Sequence, residues 1–299
     1  MVEVPVIDVG GPEREVLAAF DRACEEWGFF QIVGHGLDPA LTGAVLEQTR
    51  GFFSLPKPRK RAVERTARNT WGFYDRELTK NRRDWKEIFD VGPAETEGPL
   101  AGSAPQWPEG LPGFRDTLER HTAACEGLAF ALLSRIASNL GQPARALHAH
   151  FGDRHTSFLR LNYYPPCPDG HLGIHHHTDA GALTILLQDD QPGLQVQRDG
   201  SWTTIVPEPD ALVINVGDVV QVWSNDRYRA PIHRVVTSSD RPRYSIPFFF
   251  NPAPATDYAP LSEPPRYRPI NWGEFRAGRA AGDYADVGEE IQISHFRVE

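Results

Sequence analysis

The sequence predicts a mainly β fold with α-structure: a sandwich or barrel of the jelly-roll kind with a helical first half packed on it. Three observations predict it. After about Arg154 the chain breaks into eight or nine short apolar or alternating runs, the pattern of strands whose successive side chains face opposite ways. Turn signals separate those runs, among them Pro-Asp-Gly, Arg-Asp-Gly and Val-Gly-Asp, and 26 glycines with 26 prolines in 299 residues supply many more. Before Arg154, apolar residues recur at three- and four-residue spacing, the period of a helix.

In order along the chain, Pro5-Val6-Ile7-Asp8 is a short strand. A helix follows from about Glu13 to Trp27, with Val16, Leu17, Phe20, Ala23, Cys24 and Trp27 on its apolar stripe. Gly28 to Val33 is aromatic and β-branched, hence a strand that stops at Gly34. A second helix runs from Pro39 to Phe53 and is closed by Leu55-Pro56, a third lies within Leu111 to Asn139, and a short one spans Ala144 to Phe151. The strands expected next are Ser157–Tyr164, Ile174–His177, Leu183–Gln188, Leu194–Gln197, Trp202–Val206, Ala211–Val216, Val219–Trp223, Ile232–Val236 and Tyr244–Phe250. From Asn251 the chain is proline-rich and then weakly helical. The expected division is a helical or mixed region at 1–150, the β core at 151–255 and a segment at 256–299 that packs on the core.

Composition excludes several function classes. With 31 basic and 40 acidic residues the net charge is −9, the wrong sign for a nucleic-acid scaffold. The basic run Lys57-Pro58-Arg59-Lys60-Arg61 reads as a solvated loop. Cys24, Cys125 and Cys167 are far apart and odd in number, which argues against a disulfide framework and for a reducing compartment. No basic, apolar leader opens the sequence, and no run approaches the ~20 apolar residues that cross a bilayer. The expectation is a soluble, cytoplasmic protein, monomeric or weakly homo-oligomeric, whose partner is a small molecule.

The chemistry concentrates in His175-His176-His177-Thr178-Asp179 and in His233. Two imidazoles and one carboxylate are the protein ligands of a facial triad for non-haem Fe(II), with coordination positions left open. Alternation along a strand puts residues 175, 177 and 179 on one face. His175 therefore competes with His177 as a ligand, and the position of Asp179 favours His177. A closed zinc site would usually bring a fourth ligand, often cysteine, and the nearest, Cys167, lies in the turn Pro165-Pro166-Cys167-Pro168. Ten residues after His233, Arg243-Tyr244-Ser245 opens an apolar strand. A guanidinium can bind a carboxylate bidentately, and a serine two residues on shares its face.

These residues resemble the isopenicillin N synthase-like family of 2-oxoglutarate- and Fe(II)-dependent dioxygenases. The resemblance is carried by Leu159-Arg160-Leu161-Asn162-Tyr163-Tyr164-Pro165-Pro166-Cys167-Pro168, then His177-Thr178-Asp179-Ala180-Gly181 and Gly193-Leu194-Gln195-Val196. Asn215-Val216-Gly217-Asp218, His233-Arg234-Val235-Val236 and Arg243-Tyr244-Ser245 continue it, and Trp27-Gly28-Phe29-Phe30 with His35-Gly36 extends it to the first part of the chain. It implies a double-stranded β-helix core with a helical N-terminal region.

Residue by residue, the resemblance implies iron at His177, Asp179 and His233, and the distal carboxylate of 2-oxoglutarate at Arg243 and Ser245. Asn162 and Tyr164 would line the cosubstrate pocket. His35 is structural in that pattern, and Asn215-Val216-Gly217-Asp218 is a turn between strands. Fe(II), 2-oxoglutarate and O2 are the implied cofactors, with ascorbate as a stimulant, and no catalytic residue is implied beyond the metal ligands. The implied reaction oxidises a small metabolite by hydroxylation, desaturation or cyclisation and releases succinate and CO2. Trp71 to Tyr74, Phe248-Phe249-Phe250 and the stretch Tyr267–Trp272 are candidates for its pocket, and their aromatic character favours an apolar or ring-containing substrate. Two alternatives stay open: an iron oxidase or cyclase of the isopenicillin N synthase kind that needs no 2-oxoglutarate, and a non-catalytic ligand-binding barrel.

Overall fold

In a computed structural model that describes residues 3–66, 68–95, 101–167, 170–282 and 287–298, the β core is built from two facing sheets. Pro168, part of the expected turn after Cys167, lies outside the described residues. Strand β1 (Val6–Asp8) is followed by helix α1 (Glu13–Glu26), β2 (Phe29–Val33) and α2 (Pro39–Ser54). Helix α1 buries Val16, Phe20, Ala23 and Cys24, the stripe its spacing predicts. Gly28 ends it with φ near +61°, and a Cβ there would lie 2.3 Å from the Arg229 carbonyl oxygen, so only glycine fits. Helix α2 begins where the Asp38 carboxylate accepts the Ala40 N–H at 2.9 Å and Pro39 takes the first helical position.

Then come α3 (Lys57–Arg61), β3 (Gly72–Tyr74), β4 (Leu78–Thr79), β5 (Arg82–Arg83), β6 (Glu87–Val91) and the long α4 (Phe114–Asn139). The Lys57–Arg61 run is thus a helical turn rather than a loop, solvated as expected at Lys57, Pro58, Arg59 and Arg61 but not at Lys60. Lys60 is buried, with its ammonium on Glu87 and on the Phe53 carbonyl oxygen. The strands between Gly72 and Val91 are short and carry no periodicity that the sequence alone declares.

The core strands are β7 (Phe158–Tyr164), β8 (Leu172–His177), β9 (Leu183–Gln188), β10 (Leu194–Arg198), β11 (Ser201–Thr204) and β12 (Leu212–Val216), then helix α5 (Asp218–Trp223), β13 (His233–Val236) and β14 (Arg243–Phe250). Beyond them lie β15 (Asp257–Tyr258), β16 (Ile270–Asn271) and helix α6 (Trp272–Gly282). The Val219–Trp223 run, expected as a strand, is helical. A short, wholly buried apolar run has no exposed face to betray its period, and Val219, Val220, Val222 and Trp223 are all buried.

The large sheet has the order β1-β2-β12-β9-β14-β7-β6-β3, and the small one β11-β10-β13-β8. Strands β1 and β2 pair in parallel, and the other neighbours in both sheets run antiparallel. Alternation along β14 sorts its two faces. Phe248 and Phe250 are fully buried, and Phe250 packs against Phe130 of α4 and stacks on Phe151 at 3.9 Å. Arg243, Ser245, Pro247 and Phe249 face the cavity between the sheets. Among the described residues, no helix is long and apolar enough to cross a membrane.

Candidate active site

His233 pairs directly with His177 across β13 and β8, and their rings lie 4.3 Å apart. Asp179 follows β8 and reaches between the sheets. Its Oδ1 sits 3.7 Å from His177 Nε2 and 3.6 Å from His233 Nε2. One donor atom from each of the three falls within 4.8 Å of the others, close enough for one ion to bridge them. Each imidazole is oriented through its other nitrogen. His177 Nδ1 donates to the His175 carbonyl oxygen at 2.8 Å, and His233 Nδ1 to that of Pro231 at 3.1 Å. Both Nε2 lone pairs therefore point inward, the tautomer a metal ligand needs.

Asp179 is fixed from the opposite sheet. Its Oδ2 accepts from Thr184 Oγ1 and, at 2.8 Å, from Asn215 Nδ2, which leaves Oδ1 to face the histidines. Burial works against its charge. The neighbouring His233 and His177 and the bonds from Thr184 and Asn215 outweigh that and hold the carboxyl below its ordinary value. Burial, reinforced by the adjacent His233, pulls His177 down to about 3, so this imidazole is neutral at physiological pH. Asn215 is not part of a turn, as its motif suggests, but the last but one residue of β12. The alternation of that strand through Val216 is the signal that could place it on the inner face.

His175 does not join this cluster. Its backbone N–H and its Nδ1 both go to Asp84 Oδ1, at 3.1 and 3.0 Å. Asp84 thus holds the residue whose carbonyl orients His177.

Strand β14 brings Arg243 opposite Tyr164 and Ser245 opposite Asn162. Arg243 is 2 % exposed. Its Nη2 donates to Gln188 Oε1 at 2.8 Å, its guanidinium lies 5.3 Å from the Tyr164 ring centre, and its Nε and Nη1 have no hydrogen-bond partner among the described residues. Asn162 Nδ2 is 3.4 Å from Ser245 Oγ, and its Oδ1 is likewise buried and unpartnered. Buried polar groups are rarely left unsatisfied, because doing so costs about 1–3 kcal/mol each and more for charged ones. A carboxylate between Arg243 and Ser245 would satisfy the open guanidinium edge. The donor set likewise fits Fe(II): two nitrogens and one oxygen, with the remaining coordination positions free for other ligands.

The cavity that these residues share has a volume of about 250 Å³. Of the aromatic candidates, Trp71, Phe249 and Trp272 line it. Phe73, Tyr74, Phe248, Phe250 and Tyr267 belong to the buried core instead. The remaining wall has no counterpart in the sequence reading. Arg65, Glu77, Lys86, Asp90 and Arg160 line the cavity as one buried ionic lattice. Arg160 binds Glu77 and Asp90 in parallel at 2.7–3.1 Å, Arg65 reaches the same two carboxylates, and Lys86 bridges Glu77 and Asp84 at 2.6 and 3.1 Å. Arg160 shares a strand face with Asn162 and Tyr164, a period-two signal available in the sequence. The other members sit on short strands and loops with no clear periodicity.

Burial opposes the charge of Glu77, but Arg160, Lys86 and Arg65 together hold its pKa well below the usual range. Its stabilising effect is therefore present above the unfolded glutamate value of about 4.5 and is lost as the pH falls through the folded one. Breaking such a buried set by removing one partner costs roughly 3–5 kcal/mol. Glu77→Gln is expected to lower the melting temperature by several degrees at neutral pH, and thermal melts across pH should show that gap narrowing on acidification. An equal Tm at pH 7 would mean that the lattice contributes nothing net.

Comparison with known proteins agrees with this geometry. Residues 155–252 match the family model described as the 2OG-Fe(II) oxygenase superfamily. Residues 4–110 match the one described as non-haem dioxygenase in morphine synthesis N-terminal. Flavanone 3-dioxygenase 2 of Oryza sativa subsp. japonica is 36 % identical over 288 residues, covering 91 % of this chain and 82 % of the relative. The structure of JOX2 in complex with 2OG, Fe and JA superposes with a TM-score of 0.83 at 33 % identity, over 92 % of this chain and 84 % of that one. A full-length Neurospora crassa protein in complex with alpha-KG and thymine gives a TM-score of 0.83 at 26 % identity, over 93 % and 96 % of the two chains.

Proposed function

The chain belongs to the 2OG-Fe(II) oxygenase superfamily, and from that premise we propose that His177, Asp179 and His233 are its iron ligands and that Arg243 and Ser245 bind the distal carboxylate of 2-oxoglutarate. The protein is an oxidoreductase that uses Fe(II), 2-oxoglutarate and O2 and acts on a small molecule. When bound, iron and the 2-oxoacid would activate O2, the oxidant, whose reduction is balanced by oxidative decarboxylation of 2-oxoglutarate to succinate and CO2 and by two-electron oxidation of the substrate.

The chain's own residues bind and orient. His177 and His233 turn their Nε2 atoms toward Asp179 Oδ1. Asp179 presents a single oxygen, because Thr184 and Asn215 occupy the other. Arg243 and Ser245, on adjacent inward positions of β14, define where a dicarboxylate lies relative to the ligands, and Asn162 and Tyr164 complete that pocket from β7. Hydrogen transfer needs no protein acid or base in this scheme, and none is assigned. The single observation that carries the reading is the partnerless, buried guanidinium edge of Arg243 in the same cavity as the three converging donors.

We read the substrate as ring-containing. The relatives are named for a flavanone or hold JA or thymine, and Trp71, Phe158 and Phe249 form an aromatic side to the cavity. The segments 1–150 and 256–299 are assigned to the walls of that pocket, and a monomer or weak homo-oligomer in the cytoplasm is the proposed state.

The experiment is a metabolite-library screen for CO2 released from 1-labelled 2-oxoglutarate. Substrate-stimulated release with equimolar succinate is expected. Oxidation of a substrate with no 2-oxoglutarate consumed would instead indicate an oxidase or cyclase, and binding without any turnover a non-catalytic barrel.

A further inference from the structure

On one wall of the cavity the charges of the described residues cancel: three cations of the lattice, Arg65, Lys86 and Arg160, meet three carboxylates, Glu77, Asp84 and Asp90. Arg276 is held by both oxygens of Glu95 at 2.8 Å. Arg279 donates to the Thr178 carbonyl oxygen and to Gln292 Oε1, and Glu290 lines the cavity with it.

These groups are nearly dry. Glu77 and Lys86 expose 4 % and 3 % of their side chains, and Arg160 only 13 %. Beside them on the same sheet face runs an apolar shelf, where Trp71 and Phe158 lie 5.3 Å apart and Phe158 and Phe249 lie 4.8 Å apart. The Arg160 guanidinium carbon is 5.9 Å from both phenyl rings, so shelf and lattice meet at that residue.

A ligand carrying a net charge into such a place would leave that charge, or one of the lattice, without a counter-charge in a dry site, which is unfavourable. A neutral ligand with carbonyl, hydroxyl or amide groups can take hydrogen bonds from the lattice without disturbing its balance, while its ring rests on the shelf. We propose that the cavity selects an uncharged ring compound with a hydrogen-bonding edge on the Glu77–Lys86–Arg160 wall, and that it rejects carboxylate and ammonium analogues of the same shape. This rests on the oxygenase reading above and narrows its substrate class.

The test uses the full-length protein with Fe(II) and 2-oxoglutarate. The probes are matched triples on phenyl, naphthyl, indolyl and flavanyl scaffolds, each made as a neutral primary amide, a carboxylate and a primary amine. Binding is read from the perturbation of the visible absorption of the Fe(II)–2-oxoglutarate complex under anaerobic conditions. On the scaffolds that bind, the amide should bind at least about tenfold more tightly than either charged partner. A carboxylate or amine that equals or beats its amide overturns the proposal, as does a panel in which no amide binds.

Two variants add a readout that loss of fold cannot mimic. Glu77→Gln leaves one excess cation, so the carboxylate member should gain on its amide. Lys86→Met leaves one excess carboxylate, so the amine member should gain. An unchanged rank order in both folded variants contradicts a lattice that reads charge. Uncoupled 2-oxoglutarate decarboxylation without any probe tells the two levels apart. If it occurs while the charge preference fails, only the substrate class falls; if neither it nor the Fe(II)–2-oxoglutarate absorption appears, the oxygenase reading falls with it.

Discussion

His177→Ala is expected to abolish substrate-dependent succinate formation and to weaken Fe(II) binding by more than about 100-fold, since mutating even the groups that merely orient a metal ligand costs roughly 10- to 100-fold. His177 supplies one of the three converging donors, and its partner across the strands, His233, cannot move closer without leaving the register that pairs them. His175 is no substitute, because Asp84 holds it by two hydrogen bonds. Isothermal titration with Fe(II) under anaerobic conditions, alongside a thermal melt, separates loss of the ion from loss of fold. Substantial activity in a folded His177→Ala protein would refute the ligand assignment.

Arg243→Gln is expected to raise the apparent KM for 2-oxoglutarate by roughly 30- to 700-fold, with a smaller effect on kcat. Truncating one partner of a buried, hydrogen-bonded charge pair costs about 2–4 kcal/mol, and each 1.4 kcal/mol is a factor of about ten. The side chain is buried, and two of its three nitrogens have no hydrogen-bond partner among the described residues, so little of that cost falls on the fold. Arg243→Lys should recover only part of the loss, because an ammonium is a point charge without a planar fork. Steady-state kinetics over a range of 2-oxoglutarate concentrations measures the change. An unaltered KM would remove Arg243 from the cosubstrate pocket.

How far the sequence carries the fold depends on whether an element has two distinguishable faces. Strand β14 and helix α1 each pair a buried face with a different one, and their spacing declares it. Helix α5 is buried nearly all round, so nothing in its apolar run separates helix from strand, and the strand expected there is wrong. Lys60 defeats the sequence reading for the converse reason: a run of basic residues looks solvated until the position of Glu87 is known.

The cavity lining is legible where motif and periodicity coincide, at His177, Asp179, His233, Arg243 and Ser245. It is illegible where tertiary contact alone decides. The lattice of Glu77, Lys86, Asp90 and Arg65 joins short strands and loops that only the folded sheet brings together. Asn215 looks like turn chemistry until β12 is seen to end one residue after it, with its amide on Asp179.

We propose that one cavity holds Fe(II) on His177, Asp179 and His233 and 2-oxoglutarate on Arg243 at the same time. An anaerobic absorption titration of the purified protein with Fe(II) and 2-oxoglutarate tests this. A visible charge-transfer band is expected that needs both additions, disappears in His177→Ala and requires far more 2-oxoglutarate in Arg243→Gln. No band with both present, or the same band in the folded His177→Ala variant, would contradict it.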